Sequence, residues 1–160
     1  MLNLFKKENT SLTLKAPLSG EILEIEKVPD PVFAGKMIGD GLAINPVEGV
    51  VVSPCDGKII QVFPTKHALG ILTKEGIEIL IHIGIDTVTL KGEGFKAYVS
   101  EGDIVKKGDK LLEIDLDYIN KNHKSTITPI LITNMDKVKE IKFNKGNVKK
   151  GKDMIMEIMV

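Results

Sequence analysis

The sequence predicts an all-β domain of sandwich or barrel type, and three observations carry that expectation. Apolar residues almost never recur at the three-and-four spacing of an amphipathic helix. Glycine and proline interrupt the chain roughly every 8–12 residues, as turns do in a many-stranded β domain. Between the interruptions Ile and Val dominate, β-branched residues that suit a pleated, half-buried surface. At 160 residues one domain is expected, large enough to bury a core without disulfide or metal staples.

In chain order the strand candidates are "GEILEIE" (20–26), "GLAINP" (41–46), "GVVVSP" (49–54), "GKIIQVF" (57–63), "HALGILT" (67–73) and "IEILIHIGI" (77–85). They continue with "FKAYVS" (95–100), "KLLEIDL" (110–116), "TPILITN" (128–134), "EIKFN" (140–144) and "MIMEIMV" (154–160). One short helix is expected over "DLDYINKN" (115–122), with Asp115 as its cap. Residues 1–12 read as a flexible tail ahead of a single domain over 13–160. "MLNLFKK" reads as a frayed terminus in preference to a membrane-surface segment.

Two stretches echo others. "APLSGEILEI" (16–25) resembles "SPCDGKIIQV" (53–62), and "EGDIVKKGDKLLEI" (101–114) resembles "KGNVKKGKDMIMEI" (145–158). A duplicated β-motif would produce this, and so would two unrelated hairpins whose turns need the same residues.

Lys+Arg and Asp+Glu are both 22, so the formal charge is zero and the basic face that nucleic-acid binding needs is not expected. The single cysteine, Cys55, excludes an internal disulfide, fits a reducing compartment and reads as a small turn residue. The N-terminus lacks the features of a signal peptide, and the longest apolar run is far short of the ~20 residues that span a bilayer. A cytoplasmic protein is expected, and Met1 with the short tail favours a free-standing one over a domain cut from a larger fused protein.

"GIEILIHIGIDTV" (76–88) places one histidine inside a run of isoleucines. Ile77, Ile79, Ile81, Ile83 and Ile85 share one face by the two-residue period and should line the core. Glu78, Leu80, His82, Gly84 and Asp86 share the other, so His82 should be displayed. If "HALGILT" forms a hairpin with this strand through an even-numbered loop, His67 falls directly opposite His82, with Ala68, Gly70 and Leu72 on the isoleucine face. An odd loop or a bulge would shift that register by one. Two facing imidazoles suit phosphoryl chemistry: one neutral ring attacks, the other donates N–H to the phosphoryl oxygens, and Gly84 leaves room for the group. Zinc would need further ligands, and Asp86 lies four residues from His82, about 13 Å along a strand. His123, in the polar stretch "NKNHKST", reads as plain surface.

These residues resemble the glucose-type enzyme IIA component of the bacterial phosphoenolpyruvate-dependent sugar phosphotransferase system. "GIEILIHIGIDTV" fits that family's phosphorylation-site pattern, and "VPDPVFAGKMIGDGLAI" (28–44), "TKHA" (65–68), "LKGEGF" (90–95) and "STITPILITNMD" (125–136) extend the likeness over nearly the whole chain. The resemblance implies an antiparallel β-sandwich, barrel-like with Greek-key or jelly-roll character and at most short helical turns. It implies that His82 accepts the phosphoryl group, that His67 supports its transfer and that Thr65 orients His67. It implies an apolar rim at Val32, Phe33, Phe63, Leu69 and Leu80, with Asp30 and Asp86 as acidic contacts for a basic partner. The partners implied are the histidine-containing phosphocarrier HPr and the IIB domain of a membrane sugar permease, with regulatory targets in addition and no required cofactor. A second reading makes the histidine pair a zinc-binding regulatory module completed by a partner's ligand.

Overall fold

The computed structural model describes residues 10–160. Its strands are β1 (Ser11–Lys15), β2 (Gly20–Glu24), β3 (Asp40–Pro46), β4 (Val50–Val52), β5 (Gly57–Val62), β6 (Ala68–Leu72) and β7 (Glu78–His82). They continue with β8 (Phe95–Ala97), β9 (Ile104–Val105), β10 (Lys110–Ile114), β11 (Thr128–Ile132), β12 (Glu140–Phe143), β13 (Asn147–Val148) and β14 (Met154–Met159). Two short helices interrupt them, α1 (Pro31–Ala34) and α2 (Leu116–Lys121). Every strand candidate holds a strand, and Asp115 caps α2 by accepting from Tyr118 N–H.

The eight-stranded sheet has the order β13-β2-β3-β11-β7-β6-β5-β9, and two three-stranded sheets have the orders β1-β14-β12 and β4-β10-β8. The strand pairs are antiparallel. Leu12 and Leu14 of β1, Ile158 of β14, Val51 of β4 and Leu111 and Ile114 of β10 share one core with Leu42, Ile44, Ile71, Ile79 and Ile81 of the large sheet. The small sheets therefore cover one face of the large one, which is the sandwich. On the other face a smaller apolar cluster gathers Ile25, Val28, Phe33, Ala43, Ile85 and Leu131.

Three strands were not expected. β9 and β13 are two residues each, too short for a period to show, and they close the two edges of the large sheet. β1 corrects the boundary of the tail. Ser11 and Leu12 pair with Met159 and Ile158, and Leu12 is buried, so the domain includes residues placed in the tail. The rest of that tail, residues 1–9, lies outside the described residues.

The echoes are a duplication. The large sheet's order reads the same from both edges once β2, β3, β11 and β13 are matched to β5, β6, β7 and β9, and β1-β14-β12 matches β4-β10-β8. The two copies clasp reciprocally: Lys15 N–H donates to Pro54 O and Val52 N–H to Pro17 O, both at 2.9 Å. The turn contacts repeat as well, with Lys107 N–H on Asp56 Oδ1 (2.8 Å) and Lys150 N–H on Ser19 Oγ (3.0 Å). β11 and β7, which meet at the centre, pair Ile130 with Ile81, and the repeat runs symmetrically outward from that pair.

Candidate active site

The histidines lie on the β6–β7 hairpin, whose register differs from the expected one. Ala68 pairs with His82, Leu69 with Ile81, Gly70 with Leu80 and Leu72 with Glu78. The loop is odd: Thr73 N–H donates to Ile77 O, which leaves Lys74, Glu75 and Gly76 between them. Gly76 at φ +87° explains it, because a three-residue hairpin loop closes through one left-handed residue and glycine takes that conformation without strain. The glycine in "TKEG" was the signal for this loop.

The shift moves the face assignments. Leu69 and Ile71, not Ala68, Gly70 and Leu72, join the isoleucines in the main core. Leu69 is fully buried there, so it is no part of a rim. Strand β7 ends at His82, and the chain then turns through Gly84 at φ +72°, which carries Ile85 over to the smaller cluster on the site face. Gly84 does not open space for a phosphoryl group. A Cβ there would fall 2.5 Å from Thr87 Cγ2 and 2.7 Å from Ser125 O, so the position is filled.

His67 reaches His82 by a route the strand period does not describe. Its carbonyl accepts from Ile83 N–H at 2.6 Å, one residue beyond His82. Lys66 stands in the left-handed region (φ 59°), and Thr65 Oγ1 pairs with His67 Nδ1, which together turn the ring back across the hairpin. The two rings end 5.0 Å apart between centroids, edge-on at 79°. His67 was expected to be displayed; it is 5% exposed, while His82 is half-buried.

Two aromatic walls hold the pair. Phe63 meets the His67 ring edge-on at 5.4 Å, and Phe33 meets the His82 ring at 4.8 Å. Phe33 is presented by α1, which Asp30 starts by accepting from Val32 N–H, with Pro31 in the first helical position. Val32 is 39% exposed beside it, and Leu80 is half-buried against the cluster that contains Phe33. Met37, whose N–H donates to Val32 O, and Ile38 continue the exposed apolar surface of this segment. Sequence reasoning passed over both, although Met37 and Ile38 stand apolar between Lys36 and Gly39. Asp30 lies near enough to favour a proton on His82, whereas Asp86 is exposed and paired with Lys124 Nζ at 2.8 Å. His123 is exposed, and burial pushes the Cys55 thiol up to about 12, which makes it inert.

Burial keeps both rings neutral. It holds His67 down at about 4, with His82 adding to the effect, and it lowers His82 below its ordinary value as well. His82 Nδ1 contacts Gly84 O at 2.8 Å, and a carbonyl only accepts, so the hydrogen is on Nδ1 and Nε2 carries a free lone pair. A Thr65 hydroxyl that donates to His67 Nδ1 leaves that ring's hydrogen on Nε2. The pair then offers one nucleophilic nitrogen and one N–H donor. Among the described residues no group of three or more His, Cys, Asp or Glu is placed to hold a metal. With Asp86 turned to Lys124, the zinc reading finds no support from this chain.

Comparisons with known proteins give the chain a family. Residues 12–138 match the family described as phosphoenolpyruvate-dependent sugar phosphotransferase system, EIIA 1. A PTS system glucose-specific EIIA component of Bacillus anthracis is 58% identical over 147 residues, 91% of this chain and 89% of that protein. One of Staphylococcus aureus (strain COL) is 49% identical over 154 residues, 96% of this chain and 93% of that protein. The solved structure of the glucose permease IIA from Mycoplasma capricolum superposes with a TM-score of 0.86 at 41% identity, covering 93% of this chain and 96% of that one. With most of its length matched by the family and its sandwich shared with a solved member, the chain belongs to the EIIA 1 family of the sugar phosphotransferase system and is a phosphotransferase component that carries a phosphoryl group.

Proposed function

We propose that His82 Nε2 is the atom that carries the phosphoryl group, received from the phosphohistidine of HPr and passed to the IIB domain of a glucose-type permease in the cytoplasm. The observation that carries this reading is the meeting of two neutral imidazoles at 5.0 Å under apolar walls. In the accepting step the His82 Nε2 lone pair forms the new N–P bond as the carrier's N–P bond breaks, and the bonding pair stays on the carrier's imidazole. His67 donates N–H to the phosphoryl oxygens and Thr65 keeps it in that tautomer. Transfer of this kind asks for positioning and charge stabilisation, which a preorganised pair supplies. Val32, Phe63 and Leu80 form the rim that seats both partners, with Met37 and Ile38 added to it and the buried Phe33 as the wall beneath. Asp30 faces a basic carrier, and Asp86 does so only by sharing its ion pair with Lys124. The glucose assignment follows the names of the relatives. No helix among the described residues is long and apolar enough to cross a membrane.

The test is incubation with phosphoenolpyruvate, enzyme I and HPr. The expected result is the mass gain of one phosphate, labile in acid and stable in base, mapped to His82. A phosphate found on any other residue overturns the assignment.

A further inference from the structure

The carbonyl that orients His82 is flanked by backbone groups that are themselves held. Ile83 N–H donates to His67 O at 2.6 Å. Ile83 O accepts the Thr87 hydroxyl. Gly84 N–H donates to Thr128 Oγ1 at 3.4 Å, and that oxygen is free to accept because its own hydrogen goes to Thr126 O at 3.0 Å. Ile85 N–H donates to Ser125 O at 3.0 Å. Gly84 O, set between these bonds, faces His82 Nδ1 at 2.8 Å. Both threonines are fully buried, and the Thr87 methyl also occupies the space where a Gly84 side chain would stand.

We infer that Thr87 and Thr128 are positioning residues for phosphoryl acceptance: their hydroxyls grip the Ile83–Gly84 peptide at its oxygen and its nitrogen, while Ile85 N–H on Ser125 O holds the far end of the next peptide, so that the Gly84 carbonyl between them, which sets the tautomer and heading of the His82 ring, is fixed from both sides of Gly84. The inference rests on the reading of His82 as acceptor. A histidine side chain free in water prefers its hydrogen on Nε2, the nitrogen that must be bare for attack. Holding the hydrogen on Nδ1 takes an acceptor in a fixed place, and a peptide plane free to rock about Gly84 does not provide one. Removing the Thr87 hydroxyl leaves Ile83 O buried without a partner, and the plane rotates to find one.

The experiment compares Thr87→Val, Thr87→Ser, Thr128→Val and Thr128→Ser with the wild type. The nitrogen-15 shifts of the His82 ring report its tautomer, and phosphorylation by HPr is timed in parallel. The wild type is expected to show the Nδ1–H form. Each valine variant should gain Nε2–H form and accept phosphate about fivefold more slowly, the worth of one ordinary hydrogen bond. Each serine variant should recover both. If Thr87→Val does not fold, Thr128→Val, which loses the longer bond, carries the same readout. Folded valine variants with wild-type ring shifts overturn the inference. The shifts need no partner protein, so a tautomer change in a chain that never takes phosphate would sink the function reading and leave the positioning role standing.

Discussion

His82 and Leu131 occupy equivalent places in the two copies of the repeat, each one residue beyond the central Ile81–Ile130 pair. Leu131 is fully buried in the site-face cluster, and His82 is half-buried beside Phe33. The strands do not make this difference, since their order and pairing repeat. The connections do. Between β2 and β3 the chain takes residues 25–39, including α1, and lays Phe33 and Val28 over the site face with Leu131. Between β5 and β6 it takes only residues 63–67, too few for such a cover, and that short turn carries Phe63, Thr65 and His67. One copy thus supplies the lid and the other the chemistry, and the site forms where the long connection of the first reaches across to the second. The duplication fixed a scaffold, and unequal loops made it functional.

The largest contrast comes from emptying both equivalent positions. His82→Ala should abolish phosphorylation by HPr at a smaller cost to stability, since the ring is partly exposed at the edge of the site-face cluster. Leu131→Ala should cost about 2–5 kcal/mol of stability, as a fully buried leucine does, while the folded protein still takes a phosphate. Phosphate-transfer assays and thermal melts on the two variants check this. A His82→Ala protein that labels normally would break the comparison.

His67→Gln sharpens it. The amide keeps an N–H donor but not the imidazole's rigid geometry, so the variant should accept phosphate and pass it to the permease at least about a hundredfold more slowly, the usual loss for one misplaced transition-state donor. Measured sugar phosphorylation at the wild-type rate would show that the second ring is dispensable.

Most strands were legible because β-branched runs between glycines are a local signal, and "DLDYINKN" declared its helix through Asp115. The pair of histidines was legible as chemistry but not as geometry. Their proximity was expected from an even loop, and it arises instead from an odd loop plus the turn at Lys66 and the tether at Thr65. Parity decides faces only while the strand lasts. β6 begins at Ala68 and β7 ends at His82, so His67 and Gly84 lie beyond the rule's reach. Leu69 was misplaced for the same one-residue reason. The duplication was visible as two echoes in the turns, but its β3–β6 and β11–β7 correspondences leave little trace in residue identity, because a pleated core asks only for bulk and branching.

The two halves should also differ in how they respond to acid. His67 titrates at about 4 in the folded protein against an ordinary 6.5, so between those values the unfolded chain binds a proton that the folded chain refuses. Stability therefore rises with pH through this window and falls as pH drops from 6.5 toward 4. His82, also lowered, adds with the same sign. Glu26, Glu48 and Glu113, lowered from 4.5, lose their contributions only below the range from 6.5 to 4.5, so melts at pH 7, 6 and 5 isolate the histidines. His67→Gln should flatten the decline. A melting temperature that climbs on acidification would mean that the rings gain protons on folding.

The smallest effect tests the duplication itself. Asp56 and Ser19 stand at matching turns and do the same task, each taking the backbone N–H of the second lysine in a "VKKG" sequence. Asp56→Ala and Ser19→Ala should each cost about 1 kcal/mol, the net worth of one such bond. At roughly 2–4 °C per kcal/mol for a domain of this size the loss is measurable by calorimetry. Exchange is more telling than deletion. Asp Oδ1 and Ser Oγ each accept a backbone N–H from a turn distant in sequence, so Ser19→Asp with Asp56→Ser should melt close to the wild type if the turns are geometric equivalents. Asp at position 19 would sit by the Lys150–Glu48 ion pair, where the lysine cluster at 149, 150 and 152 offsets the added charge. A swap that costs more than both deletions together would mean that the turns only look alike, and that each has settled into a shape its own side chain alone supports.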